Sequence, residues 1–118
     1  MAGEACVDLE TLKKRCLGNL DLVDRVLRKF STQLDSDLVE LERALTASDT
    51  ETFALVAHRV KGMSANVEAR DLYRNAAAAE ERALAQRWDE LPTCLEGMQL
   101  QRDRIAESLP RLRMTSLT

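Results

Sequence analysis

One histidine, His58, is all that this 118-residue chain holds, beside one Trp, one Tyr and two Phe. With aromatics at 3%, the core has to be built from Leu, Val and Ala. Four glycines and two prolines are too few for a sheet with its turns and favour long, uninterrupted helices. Cys6, Cys16 and Cys94 are odd in number and lack a Cys-x-x-Cys pair, so they read as reduced structural thiols. A zinc site with a single His would need a carboxylate cluster that no motif offers, so no metal is expected. No apolar run approaches the roughly 20 residues that span a bilayer. The start Met-Ala-Gly-Glu lacks a basic region followed by an apolar stretch, and a cytoplasmic protein is expected. A net charge of −3 and a pI near 5.2 argue against a dedicated nucleic-acid binder. Without a Gly-rich phosphate loop or a Walker motif, the chain is not expected to carry an ATP-binding or kinase domain.

What is present is helical periodicity in one expected domain. Apolar residues are 45% and charged residues 31%. Residues 1–7 read as a loose leader. Asp8 is a candidate N-cap for a short helix bearing Leu9, Leu12, Cys16 and Leu17, which Gly18 would end. Asn19 caps the next helix, residues 20–45, whose apolar stripe is Leu20, Val23, Leu27, Phe30, Leu34, Leu38, Leu41 and Leu45. Leu22, Val26 and Val39 widen that stripe, for packing on the short helix or for a partner. Ser48 and Glu51 have capping-box spacing and predict a third helix. After a turn near 66–69, a fourth helix places Leu72, Tyr73, Ala76, Ala79 and Ala83 inward. The last, 88–109, carries Leu91, Leu95, Met98, Ile105 and Leu109, with Pro92 in its first turn and Pro110 as its stop. Residues 111–118 show no clear period. The fold expected is all-α, an antiparallel four-helix bundle with a short N-terminal capping helix.

His58 falls in the middle of the third helix. At about 100° per residue, Phe53, Val56, Ala57, Val60, Ser64 and Val67 share one face, while His58, Lys61, Gly62 and Ala65 gather well away from it. The imidazole therefore points outward. Imidazole keeps a free nitrogen lone pair near neutral pH, which makes it the natural side-chain nucleophile there. Lys61, one turn on, supplies positive charge where a phosphoryl group would bring negative oxygens. Gly62 removes a side chain from a partner's approach, at a helix cost of about 1 kcal/mol relative to Ala. Arg59 and Ala65 flank the same surface and are candidate partner contacts.

The stretch His58-Arg59-Val60-Lys61-Gly62-Met63-Ser64-Ala65-Asn66-Val67-Glu68-Ala69 resembles the signature of histidine-containing phosphotransfer (Hpt) domains. The likeness rests on His58, Val60, Lys61, Gly62, Ser64, Val67 and Ala69, and extends more weakly over residues 20–109 as a pattern of helix lengths. Glu68 departs from it, standing where the family usually has Gly. The resemblance implies a phosphorelay intermediate whose His58 takes a phosphoryl group from a receiver-domain aspartate and passes it to another receiver. It implies response-regulator receivers, and a hybrid histidine kinase, as partners; a monomer is the simplest expectation for the chain itself. It further implies no cofactor of the chain's own, with Mg²⁺ belonging to the receiver. Glu80 matches the position that commonly accepts a hydrogen bond from the imidazole, and so would orient it. The rival reading is a helical adaptor that binds the same partners without phosphorylation. Retention of both His58 and Lys61 speaks against it, because binding alone needs neither.

Overall fold

Apolar residues recurring every third or fourth position become five helices in the computed structural model, which describes residues 7–117, with side chains for 7–109. They are α1 (Leu9–Arg15), α2 (Leu20–Thr46), α3 (Thr50–Asn66), α4 (Arg70–Leu84) and α5 (Leu91–Leu117). The described residues contain no strand, as the all-α expectation requires. Among them α2 packs on α3 and α5, and α4 packs on α3 and α5, whereas no Cα of α2 comes within 8 Å of one of α4, nor any of α3 within 8 Å of one of α5. The four longer helices thus enclose one core in the cyclic order α2, α3, α4, α5.

That core is aliphatic. Leu27, Leu34 and Leu41 of α2 meet Phe53, Val56 and Val60 of α3, Leu72 of α4, and Leu91, Met98 and Ile105 of α5, all fully buried. Each such side chain contributes about 1.5–3 kcal/mol on leaving water, so the stripe rather than helix propensity holds α2 in place. Leu22 and Val26 lie half-buried against this core, while Val39 stays open to solvent. At Gly97 of α5 the Asn75 side chain of α4 fills the space left by glycine, since a Cβ there would lie 2.4 Å from the Asn75 amide nitrogen.

The scarcity of glycine shows at the helix ends. Leu17, Ser48, Glu68 and Gln86 all adopt positive φ, at 56°, 55°, 62° and 58°. Each follows the last turn of α1, α2, α3 or α4, and the next amide bonds back into the helix, as in Asp49 N to Ala44 O at 2.9 Å and Ala69 N to Ser64 O at 2.8 Å. This is the left-handed closure usually given to Gly, and a side chain there costs roughly 1 kcal/mol. It explains several departures from expectation. Ser48 closes α2, so the cap of α3 falls one residue later, on Asp49, whose carboxylate accepts from Thr52 N. Leu17 leaves the apolar stripe and is 93% exposed, and α1 ends before Gly18. Asp8 and Asn19 cap α1 and α2 as expected.

Three other expectations need correction. Tyr73 is 41% exposed, because the inward stripe of α4 passes through Leu72 and Ala76 on its other side. Trp88–Glu90 forms a 3₁₀ turn before α5 begins at Leu91. Pro110 does not stop α5, which runs on to Leu117 through the stretch read as aperiodic. Proline removes one backbone donor, yet its fixed φ is itself helical. Of the leader, residues 1–6, including Cys6, lie outside the described residues, whereas Val7 is buried.

The short α1 clasps the α3–α4 turn. Asp8 N donates to Glu68 O at 2.9 Å, and Arg15 donates to Glu68 Oε2 at 2.6 Å and to Ala65 O at 3.2 Å. Glu68 therefore compensates its strained backbone with an ion pair that glycine would not make.

Asp37 pins α3 to α2. It is fully buried on the apolar stripe, yet its Oδ1 accepts from Gln33 at 3.0 Å and from Arg59 at 2.7 Å and 3.2 Å. Arg59 also donates to Glu40 at 2.8 Å. Asp37 Oδ2 has no hydrogen-bond partner among the described residues. Removing Arg59 leaves a buried charge uncompensated, while removing both partners leaves none. Arg59→Ala is expected to lose about 2–3 kcal/mol in urea unfolding, and Asp37→Ala/Arg59→Ala less than that. A double variant weaker than the single would contradict this account.

Candidate functional site

The site is set by how near α3 comes to α4. Ala54, Ala57 and Ser64 of α3 and Ala76, Ala79 and Ala83 of α4 are all buried, and this is the most extensive helix pair among the described residues. Small side chains let the two backbones approach closely. Ser64 meets its polar requirement within α3, its Oγ donating to Val60 O at 2.7 Å. Capped by Asp49, α3 presents His58 in mid-helix, with its side chain 64% exposed.

Glu80 of α4 reaches across the interface with both oxygens. Its Oε2 lies 2.8 Å from His58 Nδ1, and its Oε1 lies 2.8 Å from Lys61 Nζ. The Lys61 hydrogen bond, aided by that of His58, holds the Glu80 carboxyl below the usual carboxylate range, although partial burial opposes this. The same bond raises the Lys61 ammonium above its ordinary value. At neutral pH Glu80 is therefore ionised and can only accept. In the neutral imidazole, His58 Nδ1 therefore carries the proton and donates it to Glu80, and the lone pair belongs to Nε2.

The remaining residues singled out from the sequence fall around this triad. Gly62 and Ala65 are exposed on the surface of α3. A Cβ added at Gly62 would meet nothing within 4 Å, so packing within the chain does not require glycine there. Arg59 lies on the other flank, turned towards α2, and its guanidinium holds Asp37 and Glu40. That internal bond was not foreseen. The available signal was a carboxylate at position 37, in phase with Leu34, Leu38 and Leu41. Nor did the sequence reading pair Lys61 with Glu80. No group of residues suited to holding a metal ion occurs among the described residues. Cys16 and Cys94 are free, and Cys16 is buried.

The family model described as Hpt domain matches residues 25–114, which include His58, Lys61 and Glu80. This chain belongs to the Hpt-domain family. No curated protein and no solved structure matches it. Hpt domains are phosphotransfer modules of two-component phosphorelays and interact with receiver domains and histidine kinases. None of the helices among the described residues of this Hpt domain is long and apolar enough to cross a membrane.

Gly62 gives a direct check on the site's surface. Since an added methyl finds open space, Gly62→Ala is expected to raise stability by about 0.5–1 kcal/mol in urea unfolding, through helix propensity alone. A loss of stability would show that the space is needed within the chain.

Proposed function

We propose that His58 is the phosphoacceptor, taking a phosphoryl group from the aspartyl phosphate of one receiver and passing it to the aspartate of another. The observation that carries this reading is the 2.8 Å contact between Nδ1 and Glu80 beneath an exposed imidazole. Nε2 attacks phosphorus, the N–P bond forms, and the P–O bond to the aspartyl carboxylate breaks with its electron pair leaving on oxygen. The ring keeps its Nδ1 proton and becomes positively charged, and the adjacent Glu80 carboxylate balances that charge. The return step reverses these bonds on the second receiver.

Lys61 retains two further N–H donors while bonded to Glu80, and these suit the phosphoryl oxygens. Gly62 and Ala65 keep the surface beside the ring low, and Arg59 borders it. The chain acts by positioning and charge, with the Mg²⁺ of the transfer supplied by the receiver. We further propose that it works as a monomer in the cytoplasm, needs no cofactor and has no kinase activity, its core within residues 8–110 forming one domain.

Phosphorylated receiver domains from the source organism, incubated with wild type and with His58→Gln, test this. Label confined to wild type, acid-labile and alkali-stable, is the expected result. Lys61→Ala is expected to retain label but slow transfer roughly tenfold, since the charge acts at an exposed site. Binding of receivers without label on His58 would favour the adaptor reading instead.

A further inference from the structure

Among the described residues the large apolar side chains left exposed are Leu17, Val39, Leu55, Tyr73, Leu84 and Leu100. Three of these six belong to the α3–α4 hairpin that carries His58. Leu55 stands one turn before His58 on α3 and is 67% exposed; Leu84 stands one turn beyond Glu80 on α4 and is 69% exposed. Residues 67–69 join the two helices in a tight turn, and the His58–Glu80 contact fixes their register. Both leucines are therefore displaced from the site in the same direction, towards the end where α3 begins and α4 finishes. Tyr73 lies two turns the other way from Glu80, towards the end held by Asp8 and Arg15.

The two ends differ in what they offer a partner. At the Tyr73 end, Arg15, Glu68, Asp8 and Arg70 are joined in ion pairs within the chain. At the other, two aliphatic side chains stand largely in water, and exposed Glu51 and Glu81 lie within one turn of them on the same helices. An apolar centre with a charged rim is the composition of a protein–protein contact. Phosphoryl transfer brings the receiver's aspartate to His58 Nε2, so the receiver covers surface within about a turn of the ring. Resting on the phosphotransfer reading above, we propose that Leu55 and Leu84 are the apolar anchor for the incoming receiver domain. The receiver then sits over the start of α3 and the end of α4, and the α1-clasped turn stays outside the contact.

The test measures transfer from acetyl-phosphate-charged receiver domains to wild type, Leu55→Glu, Leu84→Glu and the control Leu100→Glu, as a function of receiver concentration. Leu100 lies on α5, no Cα of which comes within 8 Å of one of α3. Direct labelling of His58 with phosphoramidate, a small donor that needs no docking surface, is run beside it. Burial of one leucine is equivalent to about tenfold or more in affinity. Each of the two site variants is thus expected to raise the half-saturating receiver concentration about tenfold or more, with phosphoramidate labelling and the Leu100→Glu control at wild-type levels. Leu55→Ser and Leu84→Ser, which add no charge, are expected to shift the same way. Half-saturation unchanged in all four site variants, with His58 still labelled by receivers, overturns the anchor and leaves phosphotransfer standing. Failure of receivers and phosphoramidate alike to label wild-type His58 overturns both.

Discussion

Close packing of α3 on α4 is the constraint from which the site follows. Leucines in place of Ala76, Ala79 and Ala83 would push the helices apart, and Glu80 would no longer reach His58 and Lys61 of α3. With small residues there, one carboxylate spans two partners on a neighbouring helix. Its two oxygens make 2.8 Å contacts with an imidazole and an ammonium, which ties both side chains of α3 to α4.

A second constraint runs through the connections. A chain with four glycines closes four helices, and it does so with Leu17, Ser48, Glu68 and Gln86 in left-handed backbone. The strain is offset locally where the side chain gains a partner, as Glu68 does with Arg15. That pair also ties α1 to the turn between α3 and α4, so the departure from the family's usual glycine carries a tertiary contact.

The long elements were legible because burial imposes a period that apolar residues record. The stripe of α2 and the outward turn of His58 both follow from spacing, and Glu80 was placed near His58 by resemblance. Ends were less legible, since Ser48 offers a cap oxygen and Asp49 offers a better-placed one, and only the closure of α2 decides between them. Pro110 misled for a related reason, as a proline ends a helix only when the lost hydrogen bond outweighs continued pairing. The Asp37–Arg59 and Lys61–Glu80 pairs were illegible because each depends on which helices are neighbours and at what height. Spacing within one helix does not contain that information.

The central claim is that Glu80 fixes the proton on His58 Nδ1 and leaves Nε2 as the nucleophile. The most direct measurement is nitrogen-15 NMR of the His58 ring at neutral pH, before and after charging with phosphoramidate. The account predicts the Nδ1-protonated tautomer in the free protein and the phosphoryl group on Nε2 in the charged one. A proton resting on Nε2, or a phosphoryl group on Nδ1, would contradict it.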